Sequence, residues 1–335
     1  MSNGASKRVT QRDVARAVGV TPATVSYALN GLPGVSDELR ERIKAVADEM
    51  GFRPSRLAVG LRLGRTNTLG LLLPDVANPF YPELASGVIE GASAEGMQVF
   101  VAQVGLDGRD HAPAVSALVD SHCEGLLFTA VLPHDIPMLA DLRARGVPFG
   151  FINRRIEGFD ADWVGIDDFA AAKELTSLVL EGRQRVAVFG GPERSSVSAG
   201  RAAGARAALA AAGRTPLPDG MVGDLTRESG VERARALFDA RGPVDLVVCG
   251  NDVIALGVMD VCHERGFAVP DDVAVTGFDD MSFASAGPLR LTTVEVPRQE
   301  MGRQAVASLR RRMLGFTGEP QVVELPYTVR RRNTA

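Results

Sequence analysis

The chain of 335 residues is long enough for two or three domains, and its three cysteines, an odd number in or near apolar segments, are consistent with reduced thiols. Its net charge of −4 is unevenly distributed, since residues 1–66 carry 11 Lys and Arg against 6 Asp and Glu, a net of +5, whereas the remaining residues carry 26 against 35, a net of −9. No charge-free apolar stretch is long enough to span a bilayer, and Lys7 and Arg8 interrupt any signal region, so we expect a cytoplasmic protein with no membrane partner.

Three short helices are predicted near the amino terminus from their capping residues. Thr10 and Asp13 form a capping-box pair at the start of the first helix, which ends at Gly19. Thr21 caps the second helix, with Pro22 at its first helical position, where a missing N–H costs nothing. Because so few residues separate the two helices, they are predicted to form a helix-turn-helix.

A third helix is predicted to begin at Ser36 and to end before Gly51. Apolar residues at helical spacing in all three helices are expected to form a small core. These residues are Val14, Ala15, Val18, Val25, Ala28, Leu29, Leu39, Ile43, Val46 and Met50. The Arg-rich stretch 53–62 follows, and its short length, with Val59 and Gly60, gives it low intrinsic helicity.

The outward face of the second helix carries short, neutral groups that suit the floor of a DNA groove. Ala23 can meet a thymine methyl and Tyr27 a base edge, while hydroxyls and Asn30 can hold phosphates. The head residues expected at DNA are Thr10, Thr21, Pro22, Ala23, Thr24, Ser26, Tyr27, Asn30 and Ser36. A three-helix protein-interaction module is the alternative. The net positive charge of residues 1–66, next to a negatively charged remainder, favours binding to nucleic acid instead.

Beyond residue 66, short apolar segments alternate with helical stretches. Strands are predicted at 69–73, 99–101, 125–128, 149–152, 186–189, 246–248 and 273–275, and helices at 81–95, 112–121, 168–181, 201–212, 228–240 and 252–265. Strands this apolar are expected to be buried on both faces, as in doubly wound parallel sheets. The same order of strand, loop and helix runs over 65–96 and again over 183–213, which predicts two similar lobes with a ligand between them.

Several segments of the chain closely resemble the lactose-repressor/galactose-repressor family of bacterial transcription regulators. They are Val14-Ala15, Gly19 to Ser26, Leu29-Asn30-Gly31, Val35-Ser36, Gly51-Phe52-Arg53-Pro54 and Leu61-Arg62. The resemblance implies an all-α helix-turn-helix head plus an α/β body of two doubly wound parallel-sheet lobes of periplasmic-binding-protein type. The implied divisions are a DNA-binding domain at 1–52, a hinge at 53–66, and a body at 67–335 with an N-lobe of 67–164 plus 295–324 and a C-lobe of 165–294 plus 325–335.

In that family the hinge becomes helical only on operator DNA, and a leucine of each subunit wedges into the minor groove. By resemblance that leucine is Leu61, with Ala58 one turn before it. Val59, Gly60 and Tyr27 depart from family habit. Because the family often has a guanine-reading arginine at the Tyr27 position, we expect a non-standard operator half-site.

The resemblance also implies a ligand site between the lobes. Its expected residues are Phe80, Tyr81, Asn153, Arg201, Leu225, Asn251 and Asp279. Taken singly, each has an ordinary structural explanation: Phe80 as core, Arg201 as a surface charge, Asp168 and Asp252 as helix caps. As a set in family order they favour a pocket. A sugar or sugar derivative is the default ligand of the family. Because Asn153 replaces a usual aspartate and Leu225 a usual aromatic, a nucleoside or another small polar metabolite is left open.

Enzyme activity is not expected, because the sequence lacks G-x-G-x-x-G after a strand, the P-loop motif, H-E-x-x-H and a G-x-S-x-G elbow. No catalytic residue, metal or cofactor is therefore predicted. The alternative is a sugar-binding protein that does not regulate DNA. The favoured mechanism is a homodimer on near-palindromic operator DNA, controlled by a small-molecule effector between the lobes. A dimer is preferred to a tetramer because no leucine heptads follow Arg330 to Arg332.

Overall fold

The computed structural model describes residues 9–52, 66–105, 111–218, 222–287 and 289–335. The chain forms two compact units, Met1–Thr66 and Asn67–Ala335, which we call the head and the body.

The head contains the three predicted helices, α1 Gln11–Val18, α2 Pro22–Leu29 and α3 Asp37–Glu49. Each begins at the expected residue. The backbone N–H and the hydroxyl of Thr10 donate to the Asp13 carboxylate at 2.9 and 2.6 Å. Thr21 and Ser36 cap α2 and α3 by accepting from the backbone N–H three residues further on, at 3.1 and 3.4 Å. Local hydrogen bonding therefore fixes where these helices start.

Apolar side chains from all three helices meet in the core of the head, where Val14, Val25 and Ile43 are fully buried. Leu29, Leu39, Val46 and Met50 pack around this centre and are partly exposed. Ala47 and Phe52, which the helical pattern did not single out, are also buried there. Residues 9–52 thus form a hydrophobic core of their own.

The body begins with a six-stranded parallel sheet in the order β2-β1-β3-β4-β5-β10. Its strands are β1 Thr68–Leu73, β2 Gln98–Gln103, β3 Gly125–Phe128, β4 Phe149–Ile152, β5 Asp162–Gly165 and β10 Val322–Glu324. The associated helices are α4 Phe80–Ala94, α5 His111–Asp120, α6 Ile136–Ala144 and α11 Arg298–Met313. A 3-10 turn, Pro133–Asp135, precedes α6.

A second parallel sheet contains β6, β7 and β8 in that order. These strands are β6 Val186–Phe189, β7 Leu246–Cys249 and β8 Ala274–Thr276, and the helices around them are α7 Asp168–Val179, α8 Ser196–Ala211, α9 Arg227–Arg241 and α10 Asp252–Arg265. A separate antiparallel pair joins β9 Thr293–Glu295 to β11 Thr328–Arg330. The two parallel sheets confirm the predicted α/β architecture, and the antiparallel pair adds an element that was not expected.

One strand expectation is wrong. The segment around β2 was expected to be buried on both faces, but Phe100 and Val101 are 44% and 48% exposed. The reason is position, because β2 is an edge strand of the six-stranded sheet and pairs with β1 alone. Apolar composition predicted the strand correctly but did not predict its place in the sheet.

Helices α4 and α11 pack so closely that only glycine fits at their crossing. A Cβ added at Gly87 would lie 2.0 Å from the carbonyl oxygen of Gln299, and one at Gly302 would lie 2.5 Å from the backbone nitrogen of Val88. This contact joins the start of the body to α11, more than 200 residues later in the chain.

Candidate functional site

The outward face of α2 presents the small and aromatic groups that the sequence predicted. Pro22 and Ala23 are exposed, and the Tyr27 side chain is 40% exposed. Thr24 and Ser26 are half-buried on the same helix. Ala23 and Tyr27 therefore remain accessible to an external surface such as a DNA groove.

Most of the predicted phosphate-holding groups also have roles within the head. The hydroxyls of Thr10, Thr21 and Ser36 take part in capping α1, α2 and α3. The Asn30 amide donates to the Ser26 carbonyl oxygen at 2.8 Å, which closes the end of α2. All four residues are exposed, so their remaining hydrogen-bonding capacity faces outward.

Two side chains that sequence reasoning missed hold α2 in place. The Arg40 guanidinium, from α3, donates to the carbonyl oxygens of Ala28 and Leu32, both at 2.9 Å. The Gln11 amide, from α1, donates to the Pro22 carbonyl oxygen at 2.7 Å. These contacts fix both ends of the exposed helix. The two expected hinge contacts, Ala58 and Leu61, lie outside the described residues.

Arg201 is the centre of a buried charged group in the body. It lies on α8, is 6% exposed, and donates from Nε to Asp168 at 2.8 Å and from Nη1 to the Gly250 carbonyl oxygen at 2.8 Å. Its Nη2 forms an ion pair with Asp279 at 2.9 Å. The guanidinium carbon stacks 3.8 Å from the centroid of the Phe278 ring. Arg201 is therefore not the surface charge that an isolated arginine on an Ala-rich helix would be.

Burial shapes the ionisation of this group. Burial raises the pKa of Asp168 to about 6, although Arg201 opposes the shift, and burial also raises the pKa of Asp279. Burial alone would lower the pKa of Arg201, but the two carboxylates outweigh it and raise that pKa. Two acids around one base leave the group with an excess of negative charge when all three are ionised.

Tyr81 connects this group to the first strand–helix unit. Its ring packs edge-on against Phe80, with centroids 5.2 Å apart, and both residues are buried at the start of α4. Burial raises the pKa of the Tyr81 hydroxyl, and the charges of Arg154 and Asp279 also act on it. Phe80 and Tyr81 both belong to the hydrophobic core, and the Tyr81 hydroxyl is close enough to Asp279 for the carboxylate to affect its pKa.

Asn251 and Leu225 lie next to each other but serve local structure. The side-chain Oδ1 of Asn251 caps α10 by accepting from the Ile254 N–H at 2.8 Å, and the side-chain Nδ2 donates to the Leu225 carbonyl oxygen at 3.3 Å. Leu225 is half-buried against the core of the second sheet. Both polar ends of Asn251 are therefore already in use.

The sequence offered Asp168 and Asp252 as helix caps, and the structure shows that neither is one. The caps of α7 and α10 are the residues immediately before them, Asp167 and Asn251. Asp252 is fully buried, accepts from the Thr293 hydroxyl at 2.6 Å and from the Met281 N–H at 2.7 Å, and has a pKa raised well above its usual range by burial. Two adjacent polar residues in the sequence indicate where a helix starts, but they do not show which of the two is the N-cap.

Asn153 lies on the wall of a cavity of about 580 Å³ that reaches from the end of β4 to the start of α8. It is 6% exposed, with a left-handed backbone at φ 68°, and its Oδ1 is buried without a hydrogen-bond partner among the described residues. Asp168 and Ser196 line the same cavity. Of the seven predicted ligand residues, Asn153 alone lines it directly, while Arg201 reaches it through Asp168.

The described residues hold neither a metal-ligand cluster nor an ionised thiol. They contain no group of three or more His, Cys, Asp or Glu side chains that could hold a metal ion. Burial raises the pKa of the Cys123 and Cys262 thiols to about 11 and about 12, so neither is a thiolate near neutral pH. In the parts of the chain that the structure describes, no helix is long and apolar enough to cross a membrane.

Two family profiles together match almost the whole chain. The profile described as bacterial regulatory proteins of the lacI family matches residues 10–55, and that of periplasmic binding proteins and the sugar-binding domain of the LacI family matches residues 66–332. The chain belongs to the LacI family. The head-and-body organisation is therefore that of a LacI-family transcriptional regulator.

Full-length relatives agree with this membership. The chain is 34% identical to the transcriptional regulator CelR of Thermobifida fusca, and the match covers 94% of each protein. It is 32% identical to the transcriptional regulator DegA of Bacillus subtilis, covering 95% of this chain and 96% of DegA. It is 30% identical to the ribose operon repressor of Escherichia coli, covering 97% and 99%.

Solved structures place the LacI-family fold over the whole chain. The CelR–cellobiose complex matches with a TM-score of 0.73 and 30% identity, covering 98% of this chain and all of that one. The lac repressor dimer bound to operator and an anti-inducer matches with a TM-score of 0.87, covering 98% and 99%. At 24% identity the second likeness concerns the fold alone.

Proposed function

We propose that this LacI-family regulator binds near-palindromic operator DNA as a homodimer, and that a small polar metabolite bound in the body controls its operator affinity. Repression in the bacterial cytoplasm is the proposed mode of action. A sugar or sugar derivative is the proposed class of effector. The names of two relatives support that class, since one is a ribose operon repressor and another is solved with cellobiose.

DNA recognition is assigned to the exposed face of α2. Ala23 and Tyr27 are the proposed base readers, because both are exposed and neither side chain is needed for the core. The capping hydroxyls and Asn30 are the proposed phosphate contacts, since each of these polar residues is exposed. The basic head, with its net charge of +5, supports an electrostatic contribution to that binding.

Effector recognition is assigned to the group around Arg201, and this buried group carries the proposal. A guanidinium flanked by two carboxylates and a ring is expensive to bury, so its presence beside a cavity supports a binding role. Tyr81, Asn153 and Asp279 are the proposed neighbours of the ligand. An effector acts only through its different affinities for the two DNA-binding states, with a coupling typically of about 1–3 kcal/mol.

The test is operator binding measured with and without a panel of sugars, after operator selection from random duplexes. At least one sugar should change the operator affinity of the wild type by about 5-fold or more. Arg201→Ala should abolish this response while leaving ligand-free operator affinity within about 2-fold. Arg206→Ala, a half-buried arginine on the same helix, is the matched control and should respond like the wild type.

Two outcomes would contradict the proposal. A protein that binds sugars but selects no duplex would be a small-molecule binding protein without regulatory DNA binding. Loss of both operator binding and folding in Arg201→Ala, seen by circular dichroism, would assign Arg201 a structural role.

A further inference from the structure

The cavity of about 580 Å³ beside Arg201 has a strongly acidic wall. Five carboxylates line it, those of Glu157, Asp160, Asp167, Asp168 and Glu324. Of the described residues that line it, only Arg155 is basic, and its guanidinium lies over the Trp163 ring, 4.5 Å from the centroid. Asp168 is paired with Arg201, whereas the other four carboxylates form no ion pair with any described Lys or Arg. The cavity therefore has a clear excess of negative charge.

Arg201 cannot offset this excess. Its Nε, Nη1 and Nη2 already face Asp168, the Gly250 carbonyl oxygen and Asp279. One positive charge is thus shared between two carboxylates before any ligand arrives. An incoming phosphate or carboxylate would meet repulsion from five carboxylates, opposed by the single cation of Arg155 among the described lining residues.

Asn153 gives an independent indication that the site suits a hydrogen-bond donor. Its Oδ1, a pure acceptor, is buried without a partner among the described residues, although such atoms are nearly always paired. The residue is held in place, because the Trp163 Nε1–H donates to its backbone oxygen at 3.0 Å. A donor group of a ligand would satisfy this atom.

We propose that the effector is a small polyhydroxylated cation, of which an amino sugar is the simplest kind. Its ammonium group binds among Glu157, Asp167 and the Asn153 Oδ1. This inference rests on the proposed function, since it specifies the charge of the effector and places it in the cavity that adjoins the Arg201 group.

Isothermal titration of the full-length protein with sugars matched in shape but not in charge tests the inference. For glucose, galactose and mannose, the panel contains the neutral sugar, its 2-amino-2-deoxy form, the N-acetylated amine and the 6-phosphate. In at least one set the amine should bind 10-fold or more tightly than both neutral members, with the phosphate weakest. The inference is overturned if no amine binds, or if in every set a neutral or phosphorylated member binds as well as the amine.

Two variants test the wall itself. Glu157→Gln and Asp167→Asn should each weaken amine binding about 5-fold or more while leaving the neutral sugar within 2-fold, and Asn can still cap α7 at position 167. Glu181→Gln removes an exposed acid that does not line the cavity, so it should change nothing. If Glu157→Gln and Asp167→Asn bind the amine as tightly as Glu181→Gln does, these carboxylates do not recognise the charge of the ligand.

Operator binding separates this inference from the proposed function. If a neutral sugar shifts operator affinity and no amine does, the inference fails and the proposed function stands. If amines bind but no sugar of any charge shifts operator affinity, the effector role itself fails.

Discussion

Asp168 is a buried carboxyl group whose pKa is higher in the folded protein than in the unfolded chain. Burial raises its pKa to about 6, from the ordinary value of 3.8, although Arg201 opposes the shift. The proton is thus held more tightly in the folded state than in the unfolded state. The stabilisation this provides is complete below pH 3.8 and is lost as the pH rises through 6.

Asp168→Asn should remove this dependence, because the amide does not titrate. Between pH 5 and pH 7 the free energy of unfolding should fall more for the wild type than for the variant, by about 1 kcal/mol. Urea denaturation at the two pH values measures the difference. Asp239→Asn, an exposed acid on α9, is the control and should keep the wild-type pH dependence. Parallel pH profiles for the wild type and Asp168→Asn would show that the carboxyl titrates normally.

Arg201 illustrates what single residues in a sequence can and cannot reveal. Its position in a family-like order predicted a buried polar site, and the structure shows it buried among polar groups. Its partner Asp168 lies 33 residues earlier, on another helix, and no local spacing links the two. Partners that meet only in three dimensions, such as these, were missed by sequence reasoning.

At the scale of elements, helices α4 and α11 depend on a glycine contact. Gly87→Ala would place a Cβ 2.0 Å from a backbone oxygen of Gln299, which cannot move independently of its helix. We expect a loss of about 1–3 kcal/mol in the free energy of unfolding, outweighing the roughly 1 kcal/mol that alanine contributes in a helix. Thermal and urea unfolding of the purified variant measure it.

Gly91→Ala is the matched control for this contact. It lies one turn further along α4, and its added Cβ would be 3.3 Å from the Cα atom of Arg303. Here the milder clash and the helix-forming gain should roughly cancel, leaving stability within about 1 kcal/mol of the wild type. Equal losses for both variants would mean that the close approach at Gly87 is not the cause.

Elements were predicted well where one signal dominated. Continuous apolar runs predicted β1, β3, β4, β6 and β7, and caps predicted the three head helices. The pattern missed β5, whose buried Asp162 is paired with Arg312 at 2.7 Å and also accepts from Ser308 and the Gln321 N–H. It also missed α11, which has several arginines on its exposed side and follows Pro297. In each case a contact distant in sequence decides the structure.

At the scale of the whole body, Arg298 joins parts that belong to different sheets. From the start of α11, its Nε donates to Glu83 on α4 at 2.9 Å. Its Nη2 donates to the Asp280 carbonyl oxygen at 3.0 Å, and its Nη1 donates to that of Asp279. Since Asp279 also pairs with Arg201, a continuous polar chain connects α4 to the proposed effector group.

A polar chain of this kind transmits effector binding by switching between two sets of contacts. Arg298→Met removes these contacts, so effector binding should no longer change the operator affinity. Operator affinity without effector should stay within about 3-fold of the wild type, while the effector-induced change should fall from about 5-fold or more towards none. Arg303→Met, which removes a half-buried arginine of α11 paired with Glu90 and Glu300, is the control and should keep the full response. Arg298→Lys retains the charge but not the forked geometry, and should respond only in part. An unchanged response in folded Arg298→Met would show that coupling does not pass through this residue.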